Sequence, residues 1–523
     1  MTERPPEQVI IGLDVGTTAV KAAAFGLGSP FERVAIREYP LLRPAPGQAV
    51  QDPAMILSAS GEALAECVAG SAGAEIQAIS VSAGMHGLMA LDADLHPLTQ
   101  LITWADSRAR EEARSLRETG RAADLQAATG TPVHPMTPLT KLMWFARHDP
   151  QTWANARWWV GLKDYILVWL TGRLVTELSS ASGTGLLEMS TRAWSKGAIT
   201  LCGVDPDKLP PILPSTSVLE LTAATAERVG LPAGTPVVAG AADGPLGNLG
   251  TGAMERGVAG LSIGTSGAVR MAVREPQVDP DGTLFCYALT ESVWVMGAAI
   301  SNGGVVLRWT GGSLAPDVKA TAGDEGADAA LLELAASAPA GCDGLVMLPY
   351  LLAERAPLWD PYLPGAYLGL RFGHTRAHLV RAALEGVCMQ MRILLDRLDA
   401  VDSVHSVRVT GGVFRSELWR EVMAAMLDRP IHVVGEAEGT ALGAAALGLF
   451  ALGRAPTLTG AVTELAGAGG PPPEKVEPDR ELAAAYDALR ASVPGLAAKV
   501  GTVAELFDGA GVRGASATDL RAR

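Results

Sequence analysis

Hydrophobic and polar positions along the chain alternate between strand-like and helix-like periods. Residues 9–15 (VIIGLDV) and 19–25 (AVKAAAF) are short apolar runs on either side of a Gly-Thr-Thr turn, which predicts a β-hairpin with a tight loop. Helical spacing follows over 53–69. IQAISVSAG and GLMALD then predict two more strands, with Gly84-Met85-His86-Gly87 between them. Residues 137–170 read as largely helical, and 235–243 (TPVVAGAAD) as a strand that is apolar on both faces and ends on a carboxylate. After Gly252 the pattern restarts: strand and turn at 258–266, strand at 283–289, helix at 375–399, strand at 405–410, helices at 416–428 and 439–452. Strands alternating with helices predict an α/β chain built in layers. The restart predicts one domain over 1–253, a second over 254–508 and a flexible tail over 509–523.

The two halves open on related turns. GLDVGTTAVKA (12–22) and GLSIGTSGAVR (260–270) share Gly12/Gly260, Leu13/Leu261, Gly16/Gly264 and Thr17/Thr265, whereas Asp14 faces Ser262. A turn near the start of each half predicts a duplication in which only one copy carries a carboxylate.

Composition narrows the function classes. A chain of 523 residues, 48% hydrophobic, can bury more than one core, and with aromatics at 5% those cores must be filled by Ala, Leu and Val. The 42 basic and 56 acidic residues leave a net charge of −14, which argues against nucleic acid or an anionic membrane as the main partner. Cys67, Cys202, Cys286, Cys342 and Cys388 lie far apart without a CxxC pair, so they read as reduced core residues. The start of the chain carries no apolar signal segment, and TALGAAALGLFALG (440–453) is too short to span a bilayer, so a cytoplasmic location is expected.

The chemistry begins with the turns. Successive backbone N–H groups and hydroxyls of a Gly-Thr-Thr turn form a concavity suited to phosphate oxygens, although glycine there also simply permits a hairpin. Neither turn is a Walker A loop. Asp14 sits on a strand whose apolar neighbours should bury it, and an unpaired buried carboxylate is costly. Bound Mg²⁺ would satisfy it, since that ion takes a few carboxylates plus waters and phosphate oxygens. One turn would then hold metal and the other phosphate alone. Asp243, at the end of its strand, is the candidate general base for phosphoryl transfer, with Glu385 and Glu436 as weaker carboxylates.

With these residues in place, the chain resembles the FGGY family of carbohydrate kinases from about residue 9 to 455. The motifs are GLDVGTTAVK (12–21), MHG (85–87), ITWADSR (102–108), GAADG (240–244), SIGTSG (262–267), LPYLLAERAPLWD (348–360), TGGVFRSELW (410–419) and EGTALGAA (438–445). The resemblance implies two actin-like ATPase (ribonuclease H-like) domains, with ATP and a sugar meeting in a cleft that closes on glycines at 244–258. It implies Asp14 and Asp243 on the metal side, with Asp243 as base and acceptor ligand. Thr17, Thr18 and Lys21 would face the terminal phosphates, with Gly264, Thr265 and Ser266 across from them. Gly304, Gly411, Gly412 and Ser416 would lie along the adenosine, although Arg415-Ser416 departs from the small polar residue common after the glycine pair.

For the acceptor the resemblance implies Met85, His86, Trp104 and Asp106. Trp104 read on its own could be packing, and Asp106 could pair with Arg108. Gluconate kinases are the family members most similar in these segments, while the Met-His-Gly triplet is also similar to xylulose kinases. A gluconate carboxylate needs a cation, for which Lys141, Lys163 and Arg108 are candidates. Mg-ATP is the implied cofactor, a homodimer the implied assembly, and a non-metabolic actin-like or chaperone-like ATPase the competing class.

Overall fold

A computed structural model of the chain describes residues 7–352, 354–360, 363–435, 439–466 and 473–509. The tail expected at 509–523 lies outside these residues apart from Gly509, as do Glu436 and Glu438. The chain forms two compact units: one of residues 1–254, 272–296 and 437–471, the other of 255–271, 297–436 and 472–523.

The first unit begins with the predicted hairpin, β1 (Gln8–Val15) and β2 (Ala19–Gly26), extended by β3 (Glu32–Glu38). Helix α1 (Pro53–Gly70) starts at Asp52, whose carboxylate caps Ala54 N and Met55 N, with proline in the first turn. It returns the chain to β4 (Glu75–Ala83), parallel to β1. Helices α2 (Leu162–Thr171) and α3 (Leu178–Ser182) precede β5 (Val218–Glu220), β6 (Pro236–Ala242) and α4 (Asp243–Gly250). The sheet order is β5-β6-β4-β1-β2-β3. Its register aligns Asp14, Ser82 and Ala241 across three parallel strands, then Val15, Ala83 and Ala242. The carboxyl ends of β1, β4 and β6 therefore finish together, the place where open α/β sheets bind ligands.

The second unit repeats this plan. Strands β7 (Val258–Ile263) and β8 (Gly267–Val273) form its hairpin; α5 (Gly304–Leu314) and α6 (Arg376–Val401) follow, then β9 (Ser406–Thr410), α7 (Glu417–Leu427) and β10 (Ile431–Val433). The chain then re-enters the first unit as α8 (Gly439–Ala451), and closes in the second with β11 (Glu474–Val476) and α9 (Arg480–Gly509). Along β8-β7-β9-β10-β11 the pairings run antiparallel, parallel, parallel, antiparallel. Along β2-β1-β4-β6-β5 the sequence of pairings is the same.

One expectation fails here. The first glycines of the hinge expected at 244–258 are helical, within α4 (Asp243–Gly250). Its glycines serve close packing on α8: a Cβ on Gly250 would lie 1.7 Å from Gly439 O, and one on Gly443 would lie 2.0 Å from Leu246 O. Ala441, Leu442, Ala445 and Leu449 of α8 join Ile10, Val238, Leu246 and Leu249 in one core. Among the described residues no helix is long and apolar enough to cross a membrane.

Candidate functional site

Asp14 lies one residue before the end of β1, half-buried, and its Oδ1 accepts the Ser82 hydroxyl at 2.8 Å. Its cross-strand partner on the same face is Lys21. The second hairpin has no such pair: Ser262 stands opposite Ala268, and Arg270, opposite Gly260, reaches the Ser262 hydroxyl at 3.5 Å. The asymmetry between the turns is thus a charged pair in one copy and a hydroxyl in the other.

The first turn closes through Gly16 N donating to Ala19 O at 2.9 Å. Tyr39 OH donates to Gly16 O, Gln51 Nε2 to Thr17 O and Tyr39 N to Thr18 O. Thr17 is half-buried and Thr18 exposed. Asp243 is the first residue of α4, half-buried, with Oδ1 accepting from Gly244 N at 2.7 Å. A Cβ on Gly84 would stand 4.0 Å from Asp243 Oδ2 and 3.8 Å from Val15 O, which locates the end of β4 beside the candidate base.

The backbone before Asp243 is held from beneath. Lys163 Nζ donates to Ala239 O and Ala241 O, each at 2.9 Å, and to Val81 O. It can reach both alanine carbonyls because β6 bulges at Gly240, whose φ is +74° and where a Cβ would lie 1.8 Å from Val81 O. Glu177, fully buried, caps α3 through Ser179 N and Ser180 N and accepts the Ser215 hydroxyl at 2.9 Å. The Ser179 hydroxyl in turn accepts from Ala242 N at 3.2 Å. Burial pushes the Lys163 ammonium down to about 8, opposed by the charges of Glu177, Asp164, Asp14 and Asp243. Burial pushes Asp164 up to about 6, against hydrogen bonds from Thr176 and Gly161 N.

His86 follows β4 with φ +64°, a conformation uncommon for a residue with a side chain. Its Nδ1 lies 2.7 Å from Gly183 O. A carbonyl only accepts, so Nδ1 carries the proton and the ring orientation is fixed. Met85 packs beside it: a Cβ on Gly183 would lie 2.5 Å from Met85 Cε. Behind both, a cavity of about 40 Å³ is lined by Trp159, Asp164, Ser180 and Thr184, among others. At roughly 10–15 Å³ per water it has room for a few waters.

Trp104 is half-buried, with Nε1 donating to the Thr17 hydroxyl at 2.9 Å. Asp106 is 2% exposed; it accepts Ala49 N and both Nε and Nη2 of Arg108. Of the cations weighed for a substrate carboxylate, Lys141 and Lys163 are internal. Lys141 is fully buried and donates to His86 O, Ile102 O and Thr103 O, and burial pushes it down to about 7. Arg108 is tied to Asp106 and stacks over the Trp144 ring. Lys163, Glu177 and Ser179 carry a supporting role that the sequence reading did not assign. Their signal was available: Lys163-Asp164 is the only charged pair in the apolar run 158–170, and such a pair must be satisfied internally.

In the second unit, Gly264 and Thr265 are exposed and Ser266 half-buried. The turn docks on the start of α5: Gly304 N donates to Gly264 O at 2.8 Å and Gly303 N to Thr265 O at 3.1 Å. Gly411 has φ +115°, and a Cβ there would lie 2.1 Å from Ile263 O, whereas at Gly412 one would meet open space. Ser416 caps α7, accepting Trp419 N. Gly304 and Gly411 are thus first demanded by the protein's own backbone. Glu385 is a structural carboxylate, bound by Arg381, Tyr486 OH and Gly341 N.

Among the described residues no group of three or more His, Cys, Asp or Glu could hold a metal ion. The carboxylates available at the strand ends are Asp14 on β1 and Asp243 at the start of α4, the kind of donor Mg²⁺ takes one or two of beside substrate phosphates.

Comparison with known proteins agrees with this architecture. Residues 9–250 match the N-terminal domain of the FGGY family of carbohydrate kinases and 259–452 its C-terminal domain. The gluconokinase of Bacillus licheniformis is 38% identical over 451 residues, 85% of this chain and 88% of that protein. The xylulose kinase of Bacillus subtilis (strain 168) is 31% identical over the same shares of the two chains. The crystal structure of a gluconate kinase from Lactobacillus acidophilus superposes with a TM-score of 0.88 at 31% identity, covering 95% of this chain and 100% of that one. By fold and by these matches, the chain belongs to the FGGY family of carbohydrate kinases and is an ATP-dependent sugar kinase.

Proposed function

We propose that the enzyme transfers the terminal phosphoryl group of ATP to the terminal hydroxyl of a sugar acid, D-gluconate to 6-phosphogluconate. The observation that carries the acceptor is the identity of 37–38% with two gluconokinases, against 31% or less for the xylulose kinases compared. Asp243 accepts the hydroxyl proton as the oxygen attacks the γ-phosphorus and the bond to the ADP oxygen breaks. The hydrogen bond from Gly244 N and the clamp by Lys163 and Ser179 support that role by fixing the carboxylate at the strand end. Thr17, Thr18 and Lys21 take the terminal phosphates. Gly264, Thr265, Ser266, Gly304, Gly411, Gly412 and Ser416 take the rest of the nucleotide. His86, Met85 and Trp104 form the acceptor wall; Asp106 acts through Arg108. Magnesium bound with the nucleotide would neutralise charge on the polyphosphate, with Asp14 and Asp243 as its protein ligands. The five cysteines, all buried thiols, fit the reducing cytoplasm in which we place the enzyme.

A coupled assay over gluconate, xylulose, ribulose and glycerol tests the reading. Gluconate is expected to give the highest kcat/KM, and D243N is expected to lose about 10²–10⁴ in turnover while still binding nucleotide. Preference for xylulose would reassign the acceptor. Undiminished turnover in D243N would remove Asp243 as base, and ATP hydrolysis indifferent to any sugar would favour a non-metabolic ATPase.

A further inference from the structure

The hydroxyl of Thr17 joins two loops that are 87 residues apart in sequence. A threonine hydroxyl has one proton to donate and two lone pairs, whereas an indole N–H can only donate. The bond from Trp104 Nε1, at 2.9 Å, therefore occupies a lone pair of Thr17 Oγ1 and leaves the hydroxyl proton to point elsewhere. The same logic extends around the turn. Gln51 Nε2 occupies Thr17 O, and Tyr39 OH occupies Gly16 O. Tyr39 is 6% exposed, and its burial, with the charge of Asp14 adding, holds the phenol protonated, so it can serve only as donor there. Acceptor atoms of the turn are thus tied down by side chains behind it, the arrangement an incoming oxyanion requires, since phosphate oxygens need donors.

We propose that Trp104 is a positioning residue for the nucleotide: its indole N–H polarises the Thr17 hydroxyl so that the proton is presented to a terminal phosphate oxygen. The proposal rests on the reading of residues 16–18 as a phosphate cradle and is independent of which sugar is the acceptor. It also gives the acceptor a physical route to that cradle. Lys141 Nζ bonds both His86 O and Thr103 O, so the loops carrying His86 and Trp104 are fastened to one ammonium. A sugar that settles against these two rings restricts the indole, and with it the direction of the Thr17 hydroxyl.

The experiment is a double-mutant cycle on W104F and T17V. It is read by calorimetric affinity for Mg-AMP-PNP with and without gluconate, and by the KM for ATP. W104F is expected to weaken nucleotide binding roughly two- to tenfold, the scale of one ordinary hydrogen bond, although it lies in the sugar motif. W104F/T17V is expected to bind no more weakly than T17V, whereas T17S, which keeps the hydroxyl, remains sensitive to W104F. Benzothienylalanine at position 104, which keeps the bicyclic shape and lacks the N–H, should reproduce W104F even if the smaller ring impairs folding. Unchanged AMP-PNP affinity in W104F with only the acceptor KM altered, or strictly additive losses in the double variant, would overturn the proposal. Failure of gluconate to be phosphorylated would instead overturn the acceptor assignment and leave the AMP-PNP comparison intact.

Discussion

Lys141 and Lys163 show how far a charge in the sequence can mislead about its use. Each was a candidate partner for a substrate carboxylate because it is a cation. Each turns out to spend its ammonium on three main-chain oxygens inside the first unit. Sequence displays residue type but not depth, and depth decides whether an ammonium meets ligand or backbone. Asp14 and His86 were more legible, because a carboxylate in an apolar strand and a histidine between glycines each lack a packing reason. The buried lysines also have a thermodynamic signature. Their folded-state values are about 7 and about 8, against 10.5 for an ordinary lysine. Over that window the unfolded chain binds more protons than the folded one, so stability rises with pH. Above about pH 9 the sign reverses, because burial holds all five thiols above the ordinary value of 9, Cys67 and Cys202 at about 11, and the protons that five folded thiols keep outnumber those that the two lysines release. Scanning calorimetry is expected to show a melting temperature that climbs from pH 7 to near 9 and then declines. A steady fall across pH 7–9 would show that these ammonium groups are not desolvated as described.

At the level of elements, periodicity predicted most of what is present: the hairpin, α1, β4, β6 and the long α6 all lie within a few residues of the expected places. The exception, α4, is instructive. The glycines after Asp243 read as a hinge because glycine is a poor helix former, yet here glycine is what allows α4 and α8 to touch backbone to backbone. Such a contact between segments nearly 200 residues apart has no local signature. Gly443→Ala inserts a methyl 2.0 Å from Leu246 O, and is expected to cost about 1–3 kcal/mol or more. Because α4 starts at Asp243, turnover should fall with it. Gly312→Ala, in the last turn of α5 with open space around the new methyl, should instead stabilise by up to about 1 kcal/mol. Denaturant melts of the two variants side by side check both signs.

Over the whole molecule, the repeated order of strand pairings was legible from two short turns, but the path of the chain was not. The sequence reads as one half followed by the other, whereas each compact unit draws on three separate stretches. A fragment of residues 1–253 lacks α8, and so leaves Ile10, Val238, Leu246 and Leu249 without the helix that covers them. It is expected to be poorly structured by circular dichroism and to bind a hydrophobic dye. A cooperative melt for this fragment would show that α8 is dispensable.

The late return of α8 also sets a timetable. At about 5–20 residues per second of synthesis, the ribosome needs roughly ten to forty seconds to pass from α4 to α8. Throughout that interval the face of the first sheet that awaits α8 is without its cover in the cell. The nascent chain should therefore be a chaperone client in this window, and slow codons placed just ahead of residue 439 should lower the yield of active enzyme more than the same codons placed after 471.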